Sequence, residues 1–197
     1  MTTLRKRAVF FDRDGVLNLA VIRDGKPYPP ASIEEFTIAL DAHDALSRLR
    51  SMNFSLFVVT NQPDVARGKQ KRGVVESMNA LLLNSLPLDG IYVCYHDDAD
   101  HCDCRKPGAG LIRQAVAEHN LDVHQSYLVG DRWRDIDCGR AAGCTAILLD
   151  RGYTEQLRRP PHFTVASLTA AADVITSQET KERIAWASPQ FPLQAEV

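Results

Sequence analysis

The chain has 197 residues, of which 45% are hydrophobic and 24% charged, with a formal net charge of −2 at pH 7. That composition suits one globular domain and leaves little length for a second. Its charge balance provides no basic field for nucleic acid, and no apolar run approaches the ~20 residues that span a bilayer. Met1 to Arg7 pass directly into an apolar run with no signal-like stretch, so a cytoplasmic protein without a membrane partner is expected.

In chain order, Ala8-Val-Phe-Phe11 reads as a buried strand ending in Asp12-Arg-Asp-Gly15. Asp12 and Asp14 are one residue apart, so in an extended chain they point the same way. Gly15 lets the backbone turn and come close to a bound group. Two carboxylates at the end of a buried strand repel each other, which makes sense if a divalent cation carrying something anionic lies between them. The plainer alternative is a solvated Asp-x-Asp-Gly turn. Residues 19–37 contain Gly25, Pro27, Pro29 and Pro30, which exclude a regular helix and predict a flap over the site, too short for a large cap domain.

Apolar spacing (Leu40, Ala45, Leu46, Leu49) predicts a helix over 38–52, then a strand over 55–59 ending in Thr60-Asn61-Gln62. A helix over 73–86, a strand over 90–95, a helix over 109–120 and a strand over 126–129 follow. A helix over 136–142 and a strand over 145–149 complete the regular part. Beyond Asp150 the pattern supports only a short edge strand over 163–165, a helix over 168–175, and a tail over 177–197 with Trp186 and Phe191 but no periodicity. Strands alternating with helices predict an α/β fold, a Rossmann-like parallel sheet with helices on both faces, in a single domain over 1–176. Ligands of such sheets lie off the carboxyl ends of the strands. No element is apolar on every face, so a monomer is expected.

The polar clusters fall at those strand ends. Thr60 and Asn61 offer a hydroxyl and backbone N–H groups suited to phosphate oxygens, although a capped turn would use the same residues. Lys106, in Cys104-Arg-Lys-Pro107, is a lysine fixed by a proline ahead of a helix, and one ammonium there could stabilise charge on a bound anion and on the aspartate pair, although an exposed Lys is ordinarily just solvated. Gly130-Asp131-Arg-Trp-Arg-Asp135 brings two more carboxylates. Cys94, His96, Cys102 and Cys104 supply three thiolates and an imidazole within the loop 94–104, the donor set of a closed, structural Zn²⁺ site. His101 rivals His96, but its place beside Cys102 makes chelation by both neighbours awkward. Cys138 and Cys144 stand apart, as small core residues.

Taken in order, the four clusters around Asp12, Thr60, Lys106 and Asp131 resemble the signature motifs of the haloacid dehalogenase (HAD) superfamily of aspartate-nucleophile phosphatases. The resemblance implies a HAD-like fold, Asp12 as nucleophile and Asp14 as general acid and base, with Asp14 also lending its backbone carbonyl to Mg²⁺. It implies Asp131 completing the Mg²⁺ shell with Asp12, and Asp135 supporting Lys106 or a metal-bound water.

The cysteine loop running into Cys-Arg-Lys-Pro is similar to one branch, comprising the D-glycero-D-manno-heptose 1,7-bisphosphate 7-phosphatases and the histidinol-phosphate phosphatases. In that branch the Arg before the Lys contacts substrate away from the cleaved phosphate, a role that Arg105 inherits. The five-residue spacing between His96 and Cys102, the Asn61-Gln-Pro-Asp64 turn and the Arg-Trp after Asp131 depart from the branch's pattern. Arg105 and Arg67, with Lys69, Arg132 and Arg134 nearby, favour a bisphosphate sugar as the small-molecule partner, with Asn61 also binding it. The acidic stretch 97–103 would instead suit histidinol phosphate. A non-catalytic, zinc-stabilised binding module is the reading of a different class.

Overall fold

A computed structural model describes residues 5–23 and 26–187. Six strands form one parallel sheet: β1 (Ala8–Phe11), β4 (Ser55–Asn61), β5 (Gly90–Cys94), β6 (Tyr127–Gly130), β7 (Thr145–Leu149) and β8 (Phe163–Val165), in the order β5-β4-β1-β6-β7-β8. The central β1 pairs with β4 from Ala8↔Ser55 to Phe11↔Val58 and with β6 from Val9↔Tyr127 to Phe11↔Val129. All four of its side chains are buried, as in a parallel strand covered on both faces.

Strand alternation divides the core. Val9, Phe11, Leu56, Val58 and Val129 pack on one face against α1 (Ala42–Ser51) and α5 (Leu168–Ala187), together with Leu82 of α2 (Arg72–Ser85). Ala8, Phe10, Phe57, Val59 and Leu128 pack on the other against α3 (Gly110–His119) and Cys138 of α4 (Trp133–Ala142). Both Cys138 and Cys144 are buried, and burial pushes the Cys138 thiol up to about 12.

Several boundaries differ from the sequence expectation. The flap contains a two-stranded antiparallel hairpin, β2 (Val21–Arg23) with β3 (Lys26–Tyr28), and Pro27 is tolerated there because the ribbon is all edge. No large cap occurs among the described residues. The first helix begins at Ala42 rather than 38, because residues 38–39 are held by the loop after β1. Ala39 N–H donates to Leu17 O at 2.9 Å, and Leu40 is left fully exposed. Four residues at helical spacing, Ala42, Ala45, Leu46 and Leu49, still bury one face.

α4 starts three residues early, since the Asp135 carboxylate accepts from Arg132 N–H at 3.1 Å and closes its first turn. α5 runs on to Ala187. The rest of the expected tail, including Phe191, lies outside the described residues. No helix of the described residues is long and apolar enough to cross a membrane.

Candidate active site

The carboxyl ends of β1, β4 and β6 open into a cleft of about 670 Å³ lined by Asp12, Asp14, Thr60, Asn61, Lys106 and Asp131, with the flap and several arginines at its rim. Strand order reverses beside β1, and crevices for ligands form at such points.

Lys106 is almost fully buried, and its Nζ bridges Asp12 Oδ1 at 2.7 Å and Asp135 Oδ1 at 2.6 Å. Burial works against the ammonium, but the two carboxylates outweigh it and hold its pKa above the ordinary value. Asp12 is pushed up to about 6, first by burial, with Asp135 and Asp14 adding repulsion that Lys106 only partly offsets. Its Oδ1 also accepts Arg13 N–H at 2.7 Å, so the contacts from described residues fall on one oxygen and leave Oδ2 uncommitted.

Asp131 is buried, its pKa raised well above the ordinary value by burial and by Asp12 and Asp135, and its Oδ1 has no hydrogen-bond partner among the described residues. Asp12, Asp131 and Asp135 can each place an oxygen within 4.8 Å of the others'. One lysine does not balance three carboxylates, and the orphaned oxygen lacks a counter-charge. The donor set is all hard oxygen and fits a divalent cation such as Mg²⁺. Gly15, at φ +85°, makes room for it: a Cβ there would lie 2.0 Å from Asp131 Oδ2.

Asp14 lies to the side. Its carboxylate accepts from Arg13 Nε and Nη2, from Asn18 Nδ2 at 3.0 Å and from Gln62 Nε2 at 2.7 Å. It is not among the clustered oxygens, so any contact of Asp14 with a cation there falls to its backbone carbonyl, as the motif resemblance implies. Arg13 is itself fully buried and donates Nη1 to Asn79 Oδ1 at 3.0 Å. Thr60 is buried at the end of β4, where Oγ1 accepts from Gln62 Nε2 at 3.1 Å.

Asn61 differs from the expectation of a free donor to substrate. Its Nδ2 donates to Lys106 O at 3.0 Å and its Oδ1 accepts Lys106 N–H at 2.9 Å. Both ends of the amide hold the lysine's backbone, because β4 ends directly beside the 104–107 segment.

The thiols of Cys94, Cys102 and Cys104 and a ring nitrogen of His96 gather within 4.8 Å. Cys104 Sγ lies 3.2 Å from Cys94 Sγ, 3.3 Å from Cys102 Sγ and 3.2 Å from His96 Nδ1. Burial opposes ionisation of Cys102, but hydrogen bonds from Cys104 and from the Arg105 N–H bring its thiol down to about 7. Four soft donors, one already inclined to the thiolate, fit Zn²⁺ with no open position. His101 is outside the cluster, in left-handed conformation after a short 3-10 turn, Asp98–Asp100.

At the rim, Arg105 pairs with Asp98 at 2.8 Å, and Arg67 pairs with Asp97 and with Asp64. The Arg67 bonds draw the Asp97 carboxyl down to about 2. Two further groups were not signalled in the sequence. Residues 151–158 cross the site as a strap, with Arg151 Nε donating to Gly15 O at 2.8 Å, Glu155 accepting from Arg132 at 2.7 Å and Arg158 stacking on Trp133 at 3.6 Å. The Arg13–Asn79 pair is the other. Arg13 was visible inside the first motif, whereas nothing local marks Asn79.

A HAD-hydrolase-like family model matches residues 103–171. The D-glycero-beta-D-manno-heptose-1,7-bisphosphate 7-phosphatase of Pasteurella multocida is 34% identical over 177 residues, covering 83% of this chain and 93% of that protein. The protein of the same name from Haemophilus ducreyi is 37% identical over 158 residues, covering 74% of this chain and 84% of that one. A crystal structure of D,D-heptose 1.7-bisphosphate phosphatase from B. bronchiseptica, complexed with magnesium and phosphate, superposes with a TM-score of 0.73 at 26% identity, over 87% of this chain and 99% of that one. With identity of this order over most of both lengths, on a HAD-like sheet, the chain belongs to the D-glycero-β-D-manno-heptose-1,7-bisphosphate 7-phosphatase family of HAD-like hydrolases.

Proposed function

We propose that the protein is a Mg²⁺-dependent phosphomonoester hydrolase that removes the 7-phosphate of D-glycero-D-manno-heptose 1,7-bisphosphate through an aspartyl-phosphate on Asp12. The observation that carries this reading is the arrangement at the ends of β1 and β6. Asp12 is oriented on one oxygen by Lys106 and a backbone N–H while the other stays uncommitted, in a cluster with Asp131, whose Oδ1 has no partner among the described residues.

Asp12 Oδ2 attacks phosphorus in line and the bond to the ester oxygen breaks. Asp14 protonates the departing sugar oxygen, then takes a proton from the water that attacks the Asp12-bound phosphoryl group, which regenerates the carboxylate and releases inorganic phosphate. To do so Asp14 must give up one of its bonds, and the 2.7 Å bond from Gln62, on the cleft side, is the one a substrate oxygen can replace. Lys106 stabilises charge on the transferring oxygens, and Thr60 faces them. Asp12, Asp131 and the Asp14 carbonyl would hold Mg²⁺, which when bound supplies charge neutralisation between carboxylates and phosphate. Asp135 fixes Lys106, and Zn²⁺ held by Cys94, His96, Cys102 and Cys104 would brace the loop.

Arg105, with Arg67, serves the phosphate that is not cleaved. The rim favours the bisphosphate over histidinol phosphate, since Asp97 and Asp98 are already paired with Arg67 and Arg105. The same reading places a monomeric enzyme in the cytoplasm, where thiols stay reduced. Side-by-side turnover of the heptose bisphosphate and histidinol phosphate, by wild type and Asp12→Asn, tests it. The bisphosphate should be preferred, and the variant should keep less than about a hundredth of the wild-type rate while still binding substrate. A variant that retained more would remove Asp12 from the nucleophile's role.

A further inference from the structure

Three arginines from three separate segments converge on one carboxylate at the mouth of the cleft. Arg105 Nε and Nη2 reach Asp98 at 2.8 and 3.2 Å, Arg134 Nη1 reaches it at 3.3 Å, and Arg67 Nη2 at 3.4 Å. Arg105 has only 11% of its side chain exposed, and its Nη1 is buried without a partner among the described residues, whereas Asp98 is 54% exposed. A buried guanidinium donor left unsatisfied is costly. Here it lines the active cleft with a solvent-facing acid as its neighbour.

Asp98 does not hold its own loop together. Asp97 does that, accepting the Asp98 N–H, while Asp100 accepts the Asp97 N–H at 2.7 Å, so a capping box closes the start of the short turn without the Asp98 side chain. Every bond the Asp98 carboxylate makes among the described residues goes to an arginine. Its geometry is that of a monodentate-to-bidentate anion on an arginine fork, the same recognition a phosphate receives.

We propose that Asp98 is the resting counter-ion of the distal-phosphate subsite: it occupies the Arg105–Arg134–Arg67 cluster in the free enzyme and is displaced by the uncleaved phosphate of the substrate. The proposal rests on the bisphosphate reading above. A phosphate dianion brings two charges and three acceptor oxygens, enough to satisfy Arg105 Nη1 as well, and so outcompetes one carboxylate. A weaker anion, with a single charge, does not. Asp98 thereby sets a threshold for occupancy, and its return helps to expel a product that still carries the distal phosphate.

The test uses Mg²⁺- and Zn²⁺-loaded enzyme and a probe that carries only a distal-type phosphate, mannose 1-phosphate, as an inhibitor of p-nitrophenyl phosphate hydrolysis. In Asp98→Asn the inhibition constant should fall about three- to tenfold, the size expected when one partly exposed charge stops competing. The ratio of kcat/KM for heptose bisphosphate to that for p-nitrophenyl phosphate should rise by a similar factor. Asp98→Glu, which keeps the charge, should stay near wild type, and zinc content and melting temperature check that the loop is intact. The gain must vanish when Arg105→Ala is added. Unchanged or weaker inhibition in Asp98→Asn would mean that the carboxylate merely orients Arg105, and a gain that survives Arg105→Ala would put the probe on the reacting site; either result overturns the proposal. Failure of wild type to hydrolyse the heptose bisphosphate would sink the substrate reading alone, since the inhibition experiment does not depend on that sugar.

Discussion

Arg13 shows how one buried residue sustains the site. Its guanidinium is fully buried, bonded to Asp14 on one side and to Asn79 Oδ1 on the other, with the Phe36 ring 5.8 Å from its centre. A charge so placed is tolerable only while its hydrogen bonds are met. Asn79, on α2, has no contact with the cleft and acts through Arg13 on the orientation of Asp14. Asn79→Leu should therefore cost about 1–3 kcal/mol of stability, the penalty of an unsatisfied buried donor, read from urea unfolding. It should also lower kcat while KM holds, because Asp14, the acid–base group of the proposed mechanism, loses its support but phosphate binding does not. A change confined to stability would show that Arg13 holds Asp14 without this second bond.

The loop 94–104 is braced at one end by β5, which delivers Cys94, and at the other by Cys104, two residues before Lys106. Past the loop, the Gly110 N–H at the start of α3 donates back to Asp103 O at 2.9 Å, and there is no space for a side chain at Gly110, where a Cβ would meet that oxygen at 2.5 Å. The lysine is thus positioned by the cysteine cluster from one side and by the Asn61 amide from the other. Cys102→Ser should reduce the zinc found by elemental analysis of the purified protein. It should also lower kcat about 10–100-fold, the range seen when a supporting shell is loosened. Full activity in zinc-free protein would confine the cluster to folding.

Across the whole molecule, the parallel sheet brings carboxylates from two strand ends and a helix start into one low-dielectric place. Burial comes first in raising both Asp12 and Asp131, with mutual repulsion after it. For Asp12 the folded pKa of about 6 exceeds the unfolded value of ~3.9. Its contribution to folding is accordingly present in acid and lost as pH rises through about 6, where the metal-free protein sheds that proton. A cation at this site competes with the proton. Mg²⁺ affinity should rise as pH increases from 5.5 to 7.5, with proton release on binding at the lower pH, and the Mg²⁺-induced gain in Tm should grow in the same direction. Calorimetry in buffers of different ionisation enthalpy measures both the affinity and the proton count. Affinity independent of pH would mean that Asp12 does not bind the metal.

The sequence by itself determined the buried strand runs, the polar clusters that end them, and the four soft donors that gather in the 94–104 loop. Each is a local property: side-chain period, a composition break, or donors close together in the chain. The same locality misled at Leu40, whose helical spacing was real but whose backbone is held by Leu17 through Ala39. Only the tertiary structure decided that Asn61 clamps Lys106, 45 residues away, that Asn79 completes Arg13, 66 away, and that Arg151 ties the strap to Gly15, 136 away. The convergence of three arginines on Asp98 belongs with these. Such pairings are chosen by which strand ends and loops the sheet order brings together, and the sequence pattern of each segment is compatible with many partners until the sheet is closed.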